Sequence, residues 1–472
     1  MLLTCLVTCA MHTVFAQASK KTYTIIVLNA SLVDVGAGKI IPKRLIAISG
    51  DTIKVVTDMA NAKQYRALHY VDAKGKCVMP GLWDSHVHFR GGSKLVDANK
   101  AMLPIFLAYG ITTVRECGGD MTTDVMDWRK QISAGTLAGP RIFTSGPKID
   151  GPRATWAGSL EVTTPEQVSK ALDSLQKIHT DFVKIYDSTI PRDAYLETIV
   201  KAEKRGLITT GHMPFSVKLT EAIDRGLDGT EHLYYLFKAC SAKEDSVTQV
   251  FARAPVDRPL NLFTGLPALY DSFDQAKADR LFKYMAEKHV SVTPTLAISK
   301  TLDEIKEADH STDTLLQYID PKVVETYQGR INSAKRASAS STEFQKKLAA
   351  KMASLVPQLY KAGVNIVAGS DCGASNAYTY PGQALHQELK EMVAVGLTPA
   401  QALKTATVNG SKLLRVESFY GNLSPGKCAD MIIVDANPLA DISAVDHIYT
   451  LIAHHKVYTK TDLQGLMNGV KH

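Results

Sequence analysis

The chain alternates short apolar segments with amphipathic segments from residue 80 to residue 414. The apolar segments have the length of strands, and helix-like segments such as 168–178 and 382–395 follow them. The predicted strands are 81–88, 111–116, 141–145, 182–186, 207–212, 229–232, 291–295 and 365–371. Strands that alternate with helices form parallel sheets, and eight such units are typical of a barrel. The pattern therefore predicts an α/β protein with a (β/α)8 TIM-like barrel.

Two connections between the predicted strands are long, 233–290 and 296–364. Both contain amphipathic helical stretches, for instance 344–361. Long βα connections of a barrel lie at its catalytic face, so both are candidate lids over a site. Helical padding without a catalytic role explains them equally well.

The two ends of the chain show a different pattern, with short strands separated by turns. Strand-like segments occupy 22–79 and return at 429–435 and 448–458. We expect both termini to form one small β-sandwich, made of residues 19–79 and 415–472, beside a barrel of residues 80–414.

The first residues predict a secretory signal peptide, residues 1–18. Positions 2–15 are largely apolar, and Ala16-Gln17-Ala18 offers small residues for cleavage, although no Lys or Arg precedes the apolar stretch. The stretch is shorter than the ~20 residues of a membrane-spanning helix. The expected location is therefore secreted or periplasmic, with no membrane span.

Composition narrows the classes further. Of 472 residues, 45% are hydrophobic and 21% are charged, which is typical of a globular protein. The net charge of +7 is spread without a basic run, so we expect no nucleic-acid partner. Five of the seven cysteines lie beyond the signal peptide, widely spaced and without a CxxC pair, which argues against a disulfide framework or a thiolate metal site.

The strongest chemical signal is the HxH motif of His86 and His88 at the end of the first predicted strand. Side chains two residues apart on a strand point to the same face. Two neutral imidazoles on one strand can hold a cation, and barrels keep their chemistry at this end.

Other residues of metal-ligand type end later strands. His212 ends the fifth predicted strand, His232 the sixth and Asp371 the eighth. Each alone is explained by a structural histidine or a helix-capping aspartate. Together, on strands of one barrel, they predict a metal centre.

Lys184 lies in the otherwise apolar fourth strand, 182–186. A buried lysine is costly unless it is paired or altered. A neutral lysine can add carbon dioxide and become a carbamate that bridges two cations. A salt-bridged lysine and a Schiff-base lysine are the alternatives, and the latter would not explain four histidines.

These motifs, in this order, resemble the amidohydrolase superfamily, in particular its binuclear-metal branch similar to imidazolonepropionase-related enzymes and prolidase-like dipeptidases. The resemblance covers nearly the whole mature chain. It also rests on Glu231-His232, on the segment 368–371, on 386–389, on 396–399 and on the Gly-rich segment 421–426 with Ala429-Asp430.

The resemblance implies two divalent metal ions, zinc first, with Mn, Co or Fe compatible with the same ligands. His86, His88 and Asp371 would bind the more buried ion, and His212 and His232 the more exposed one. Lys184, carrying a CO2-derived carbamate, would bridge both.

The resemblance also implies a mechanism. Two ions roughly 3.5–4 Å apart share a water and lower its pKa, and the resulting bridging hydroxide attacks the substrate carbonyl. Asp371 would be the catalytic residue that shuttles the proton to the leaving nitrogen. Weaker candidates for substrate contact are Tyr186, Arg115 and Arg153, each equally explained by packing or by an ion pair.

The expected activity is hydrolysis of an amide or dipeptide-like C–N bond in a small molecule. A cyclic amidase or a lactonase would use the same metals, and a catalytically inactive scaffold is the remaining alternative. Such a scaffold would be expected to lose ligands, whereas all six candidates are present. The substrate and a homo-oligomeric state are left open.

Overall fold

The computed structural model describes residues 21–255 and 260–472, so the predicted signal peptide, residues 1–18, lies outside the described residues. The strands are β1 (Thr22–Asp34), β2 (Lys39–Ser49), β3 (Thr52–Asp58), β4 (Arg66–Asp72), β5 (Cys77–Pro80), β6 (Leu82–His88), β7 (Ile111–Glu116), β8 (Arg141–Thr144), β9 (Ile149–Asp150), β10 (Leu160–Glu161), β11 (Val183–Ile185), β12 (Thr209–Gly211), β13 (Gly229–Glu231), β14 (Ser291–Thr293), β15 (Asn365–Ile366), β16 (Cys372–Gly373), β17 (Met431–Val434), β18 (Ile448–Ala453) and β19 (Lys456–Thr459).

The α-helices are α1 (Val96–Ala108), α2 (Thr122–Ser133), α3 (Pro165–Lys177), α4 (Arg192–Lys204), α5 (Leu219–Asp224), α6 (Tyr234–Ala239), α7 (Glu244–Ala252), α8 (Leu266–Asp271), α9 (Gln275–Glu287), α10 (Leu296–Glu304), α11 (Pro321–Glu325), α12 (Gln328–Arg336), α13 (Ala339–Ala353), α14 (Val356–Ala362), α15 (Gln383–Ala394), α16 (Pro399–Thr405), α17 (Val408–Leu413) and α18 (Lys460–Asn468). Each of the eight predicted strand segments contains a strand, and helices follow them as expected.

The central part of the chain is a mixed α/β structure with two parallel sheets. One sheet has the order β10-β9-β11-β12-β13-β14-β15, and the other has the order β16-β6-β7-β8. Backbone hydrogen bonds join the two sheets at both sides: Ser85 N donates to Ala368 O at 2.9 Å, and Asp181 N donates to Thr144 O at 2.9 Å. The carboxyl ends of the strands are thereby gathered at one edge, where the predicted ligands lie.

The two long connections are helical, as predicted. The first contains α6 to α9, and the second contains α10 to α14. Their apolar faces join the main hydrophobic core through buried residues such as Leu236, Phe282, Leu348 and Leu359. Burial of such side chains stabilises the helices against the strands by roughly 1.5–3 kcal/mol each.

Both termini contribute to a third sheet, with the order β19-β18-β17-β5-β1-β2-β3 and with β4 paired to β1. Neighbouring residues of β1 pack into different apolar clusters, Ile25 and Val27 into one and Ile26 into the other. The predicted union of the two ends is therefore present as one sheet, and its description as a sandwich stays a prediction.

Arg141 at the start of β8 fastens this sheet to the central part. Its guanidinium forms ion pairs with Asp430, at 2.8 Å, and with Asp51. Cys428 lies close enough to these two carboxylates to form a possible ligand triplet. Because Arg141 already neutralises both carboxylates, we interpret the group as an ion-pair cluster.

All five cysteines in the described part of the chain are free, which agrees with the expectation of no disulfide framework. Among the same residues, no helix is long and apolar enough to span a bilayer.

Candidate metal centre

Three ligand atoms converge at the ends of β6 and of the eighth strand segment. His88 Nε2 lies 3.3 Å from His86 Nε2 and 2.8 Å from Asp371 Oδ1. His86 Nε2 lies 3.5 Å from the same Asp371 oxygen. Two imidazole nitrogens and a carboxylate oxygen that lie this close together form a typical donor set for a divalent cation.

The backbone explains why these residues meet. His86 and His88 alternate with Val87 on β6, so both side chains point to the same face. Gly369 allows the eighth segment to approach β6, because a Cβ at this position would lie 2.6 Å from His86 Cβ. Asp371 follows with φ of 58°, a left-handed conformation that costs energy in a non-glycine residue and that clusters at functional sites.

Asp84 on β6 forms hydrogen bonds to Ser370, the residue before Asp371. Its Oδ2 accepts a hydrogen bond from Ser370 Oγ at 2.6 Å, and its Oδ1 accepts one from Ser370 N at 2.9 Å. Its Oδ1 also accepts a hydrogen bond from the backbone N of His86 at 3.3 Å, so the carboxylate ties β6 to the segment that carries Asp371.

Burial keeps the histidines in the form that binds metals. It lowers the pKa of His88 to about 3 and the pKa of His232 to about 4, and it holds the pKa of His86 well below its ordinary value. Burial alone would raise the pKa of Asp371, but His88 and His86 hold it well below its usual range. The site thus offers neutral imidazoles and an ionised carboxylate.

His212 and His232 form a second pair directly after β12 and β13, with ring centroids 4.9 Å apart. His212 Nδ1 lies 3.0 Å from Asp187 Oδ1, and His232 Nδ1 lies 2.8 Å from Thr295 Oγ1. When Nδ1 is engaged by an oxygen, Nε2 is left with its lone pair for a metal. The distance between the His86 and His232 ring centroids, 5.4 Å, brings the two groups together.

Lys184 lies beneath these rings on β11 and is fully buried. Its Nζ lies 2.7 Å from Glu231 Oε2. The other Glu231 oxygen accepts a hydrogen bond from Arg115 Nη2 at 2.8 Å. Burial would raise the pKa of Glu231, but Lys184 and Arg115 together hold it well below its ordinary range.

The residues present fit metal ions. The ligand atoms of His86, His232 and Asp371 all lie within 4.8 Å of one another. The Nε2 atoms of His86 and His88 face each other and the carboxylate rather than separate protein acceptors. A second possible triplet, of His86, Cys117 and Glu231, fits less well, because Glu231 is already neutralised and burial raises the pKa of the Cys117 thiol to about 12.

A cavity of about 540 Å³ opens above the histidines. Asp371, His212 and His232 line its floor, and residues of the two long connections line its walls. The predicted position of these connections over the site is therefore confirmed.

The three predicted substrate residues lie in different places. Tyr186 lines the cavity with its ring 4.2 Å from the His212 ring, and burial raises its pKa to about 12. Arg115 is buried, and its guanidinium also donates to Ser85 O at 2.6 Å, so it braces Glu231 beneath the site. Arg153 is exposed, with φ of 60°.

Sequence reasoning missed two residues that touch the ligands. Asp187 immediately follows the pair Lys184 and Tyr186 on the same strand end, and this position was a usable signal. Thr295 was included only as the end of a predicted strand. Its contact with His232 depends on the left-handed conformation of Thr295, with φ of 53°, which the pattern of apolar and polar residues does not predict.

Comparison with known proteins agrees with this architecture. Residues 77–456 match the Amidohydrolase family. The chain is 22% identical to the ochratoxinase of Aspergillus niger over 491 aligned residues, which cover 92% of this chain and 87% of that protein.

Two solved structures are similar over nearly their whole length. The bottromycin amidohydrolase superposes with a TM-score of 0.71 at 20% identity, covering 94% of this chain and 90% of that one. A Xaa-Pro dipeptidase with bound methionine superposes with a TM-score of 0.65 at 20% identity, covering 92% and 99%. With the family match over most of its length, the chain belongs to the Amidohydrolase family, and its relatives support assignment as a hydrolase of carbon–nitrogen bonds.

Proposed function

We propose that this protein is a binuclear-metal hydrolase that cleaves the amide bond of a dipeptide or a dipeptide-like molecule. The observation that carries the proposal is the convergence of His86 Nε2 and His88 Nε2 on Oδ1 of Asp371, which lines the floor of the cavity. The proposal includes a closed eight-stranded barrel, supported by the backbone hydrogen bonds that join the two parallel sheets.

His86, His88 and Asp371 would hold one divalent ion, and His212 and His232 the other, with zinc as the first choice. When bound, such ions polarise the substrate carbonyl and lower the pKa of water toward neutrality. Asp187 and Thr295 would fix the tautomers of His212 and His232, as partners of metal-bound imidazoles commonly do.

Lys184 would bridge the ions as a carbamate. A carbamate nitrogen keeps one hydrogen, so Lys184 Nζ can still donate to Glu231 Oε2 at the observed distance of 2.7 Å. Arg115, on the other side of Glu231, offsets the negative charge that the carbamate would add. The buried trio therefore accommodates the modification without a change of partners.

Asp371 is placed to act as the proton shuttle. It is ionised, it lines the cavity, and Asn376 Nδ2 holds its Oδ1 at 2.9 Å. A carboxylate in this position can accept a proton from the attacking water and donate it to the leaving nitrogen. The Tyr186 phenol, on the same cavity floor, is placed to donate to the carbonyl oxygen of the substrate.

The names of the similar proteins guide the choice of substrate. One relative is an ochratoxinase, and one structural neighbour is a Xaa-Pro dipeptidase. A cavity of about 540 Å³ is large enough for a molecule of dipeptide size.

The test combines elemental analysis with a substrate screen. The purified protein, loaded with zinc, manganese or cobalt, is offered dipeptides, N-acyl amino acids, cyclic amides and lactones. We expect about two ions per chain and hydrolysis of linear amides. Fewer than one ion per chain contradicts the metal centre, and cleavage of only cyclic amides or lactones contradicts the substrate class.

A further inference from the structure

Asp303 is a partly buried carboxylate on α10 that lines the wall of the cavity. Within residues 21–255 and 260–472, it forms no ion pair within 4.0 Å and no side-chain hydrogen bond. Burial raises its pKa to about 6. Such a group costs stability in the empty protein, and a cation from outside the chain would relieve that cost.

The lysines near Asp303 are engaged elsewhere. Lys306 Nζ donates to the backbone oxygen of Ala337 at 2.8 Å. Lys346 forms an ion pair with Glu307, and its charge only partly offsets the effect of burial on the pKa of Asp303. Neither lysine forms an ion pair with Asp303 within 4.0 Å.

Arg330 carries the opposite charge on α12, a helix of the same long connection, and it lines the same cavity. In the part of the chain that the structure describes, its guanidinium has no carboxylate partner within 4.0 Å. Tyr234, also in the cavity wall, lies near both groups: burial raises its pKa to about 12, Asp303 raises it further and Arg330 lowers it. The two charges thus border one shared space without neutralising each other.

Apolar side chains line part of the same cavity, namely Leu262, Phe263, Ile298, Leu302 and Met352. An apolar lining beside charges of opposite sign is suited to a small zwitterion with an apolar side chain.

We propose that Asp303 and Arg330 select a substrate that carries a cationic and an anionic end on the two sides of the scissile amide, namely an unblocked dipeptide. Asp303 receives the ammonium group, and Arg330 receives the carboxylate. This inference rests on the proposed function, because it presupposes amide hydrolysis at the histidine cluster. The inference goes beyond the proposed function because it excludes blocked amides as preferred substrates.

Three probes that share the alanyl–leucyl amide bond test the proposal, and cleavage of that bond is measured. They are alanyl-leucine, N-acetylalanyl-leucine, which lacks the ammonium, and alanyl-leucinamide, which lacks the carboxylate. Metal-loaded wild-type protein should prefer alanyl-leucine. Asp303→Asn should raise KM for alanyl-leucine about tenfold and leave KM for N-acetylalanyl-leucine unchanged, because it removes the charge that the ammonium group would contact. Arg330→Gln should raise KM for both carboxylate probes and leave alanyl-leucinamide unchanged.

Neighbouring charges provide matched controls. Glu304→Gln, next to Asp303 but at a different cavity, and Lys335→Gln, on the same helix as Arg330, should leave all three KM values unchanged. Thermal unfolding of each variant checks its folding, and Asp303→Asn should not lower the melting temperature, since it removes an unpaired carboxylate.

The outcomes separate the two proposals. Equal hydrolysis of the three probes, or variants that shift all three KM values alike, overturns the role of Asp303 and Arg330 and leaves the metal hydrolase intact. Absence of both hydrolysis and calorimetric binding of every probe by protein that holds its metals overturns the proposed function itself.

Discussion

Lys184 Nζ lies 2.7 Å from Glu231 Oε2 in a region where both side chains are at most 1% exposed. An isolated charge at this depth would be very unfavourable, so each group depends on the other. Arg115 completes the arrangement with a hydrogen bond of 2.8 Å to Glu231. The buried position of Lys184 under the histidines therefore requires two further buried charged groups, Glu231 and Arg115.

In metal-free protein, where Lys184 carries no carbamate, Glu231→Gln should destabilise the fold by about 3–5 kcal/mol, because it leaves Lys184 and Arg115 buried without a counter-charge. Urea unfolding monitored by circular dichroism measures the change. The control is Glu221→Gln, which breaks a half-exposed pair with Arg192 and should cost at most about 1 kcal/mol. Equal effects of the two substitutions would contradict the buried-pair interpretation.

Lys184→Ala should reduce the bound metal from about two ions per chain to one or fewer, because it removes the proposed bridging group. Elemental analysis of protein purified with added zinc measures the stoichiometry. Short-chain carboxylic acids should restore part of the lost rate by occupying the space of the carbamate. Retention of both ions in this variant would show that Lys184 is not a ligand.

Asp187→Asn should weaken metal binding by about 10–100-fold, since the hydrogen-bond partner of a ligand imidazole sets its orientation. Competition with a chromogenic chelator gives the affinity. Tyr235→Phe is the matched control, because it removes only the hydrogen bond of 2.8 Å to the second Asp187 oxygen and leaves the contact with His212 in place. A loss of affinity as large in Tyr235→Phe would assign the effect to packing.

The sequence was sufficient to predict where the strands lie and which residues are candidate metal ligands. Both follow from local rules: apolar segments of strand length, and polar residues at strand ends that the topology gathers at one edge. The strand β7 lies at 111–116, where the pattern predicted it. The eighth predicted strand was wrong in detail, because 365–371 contains only the short β15 before a left-handed residue at Asp371.

The partners of the ligands were harder to predict. Arg115 was a weak candidate for substrate contact with an ion pair as the alternative, and the three-dimensional packing shows the ion pair, with Glu231 as the partner. Asp303 and Arg330 lie on helices whose polar residues resemble those of any exposed surface. Which of these residues border the cavity depends on how the long connections fold back, and this packing leaves no short-range pattern.

Asp371→Asn should lower kcat by about 100-fold or more, the usual range for removal of a general acid–base group. Asparagine keeps the size and one oxygen of the side chain but cannot accept the proton. Because Asp371 is also a proposed ligand, metal content is measured on the same sample, and the comparison is made at equal occupancy. A small change in kcat at full occupancy would assign the proton transfer to another group.

A region remote from the metal centre gives the prediction on pH. Asp446 accepts hydrogen bonds from His386 Nδ1 at 2.9 Å and from Lys390 Nζ at 2.6 Å. Burial alone would raise the pKa of Asp446, but these two partners lower it to about 2. A depressed carboxylate pKa stabilises the fold above the unfolded pKa of about 4, and this stabilisation is lost as the pH falls toward 2.

The contribution at neutral pH should be about 1 kcal/mol after allowance for the partial exposure of the carboxylate, 32%. Asp446→Asn should therefore lower the free energy of unfolding at pH 7 by about this amount, and the difference from wild type should shrink between pH 4 and pH 2. Urea unfolding at several pH values measures both. Asp435→Asn, which breaks a more exposed pair with Lys76, is the control and should show a smaller effect of pH. A difference that stays constant down to pH 2 would mean that Asp446 acts by packing rather than by its charge.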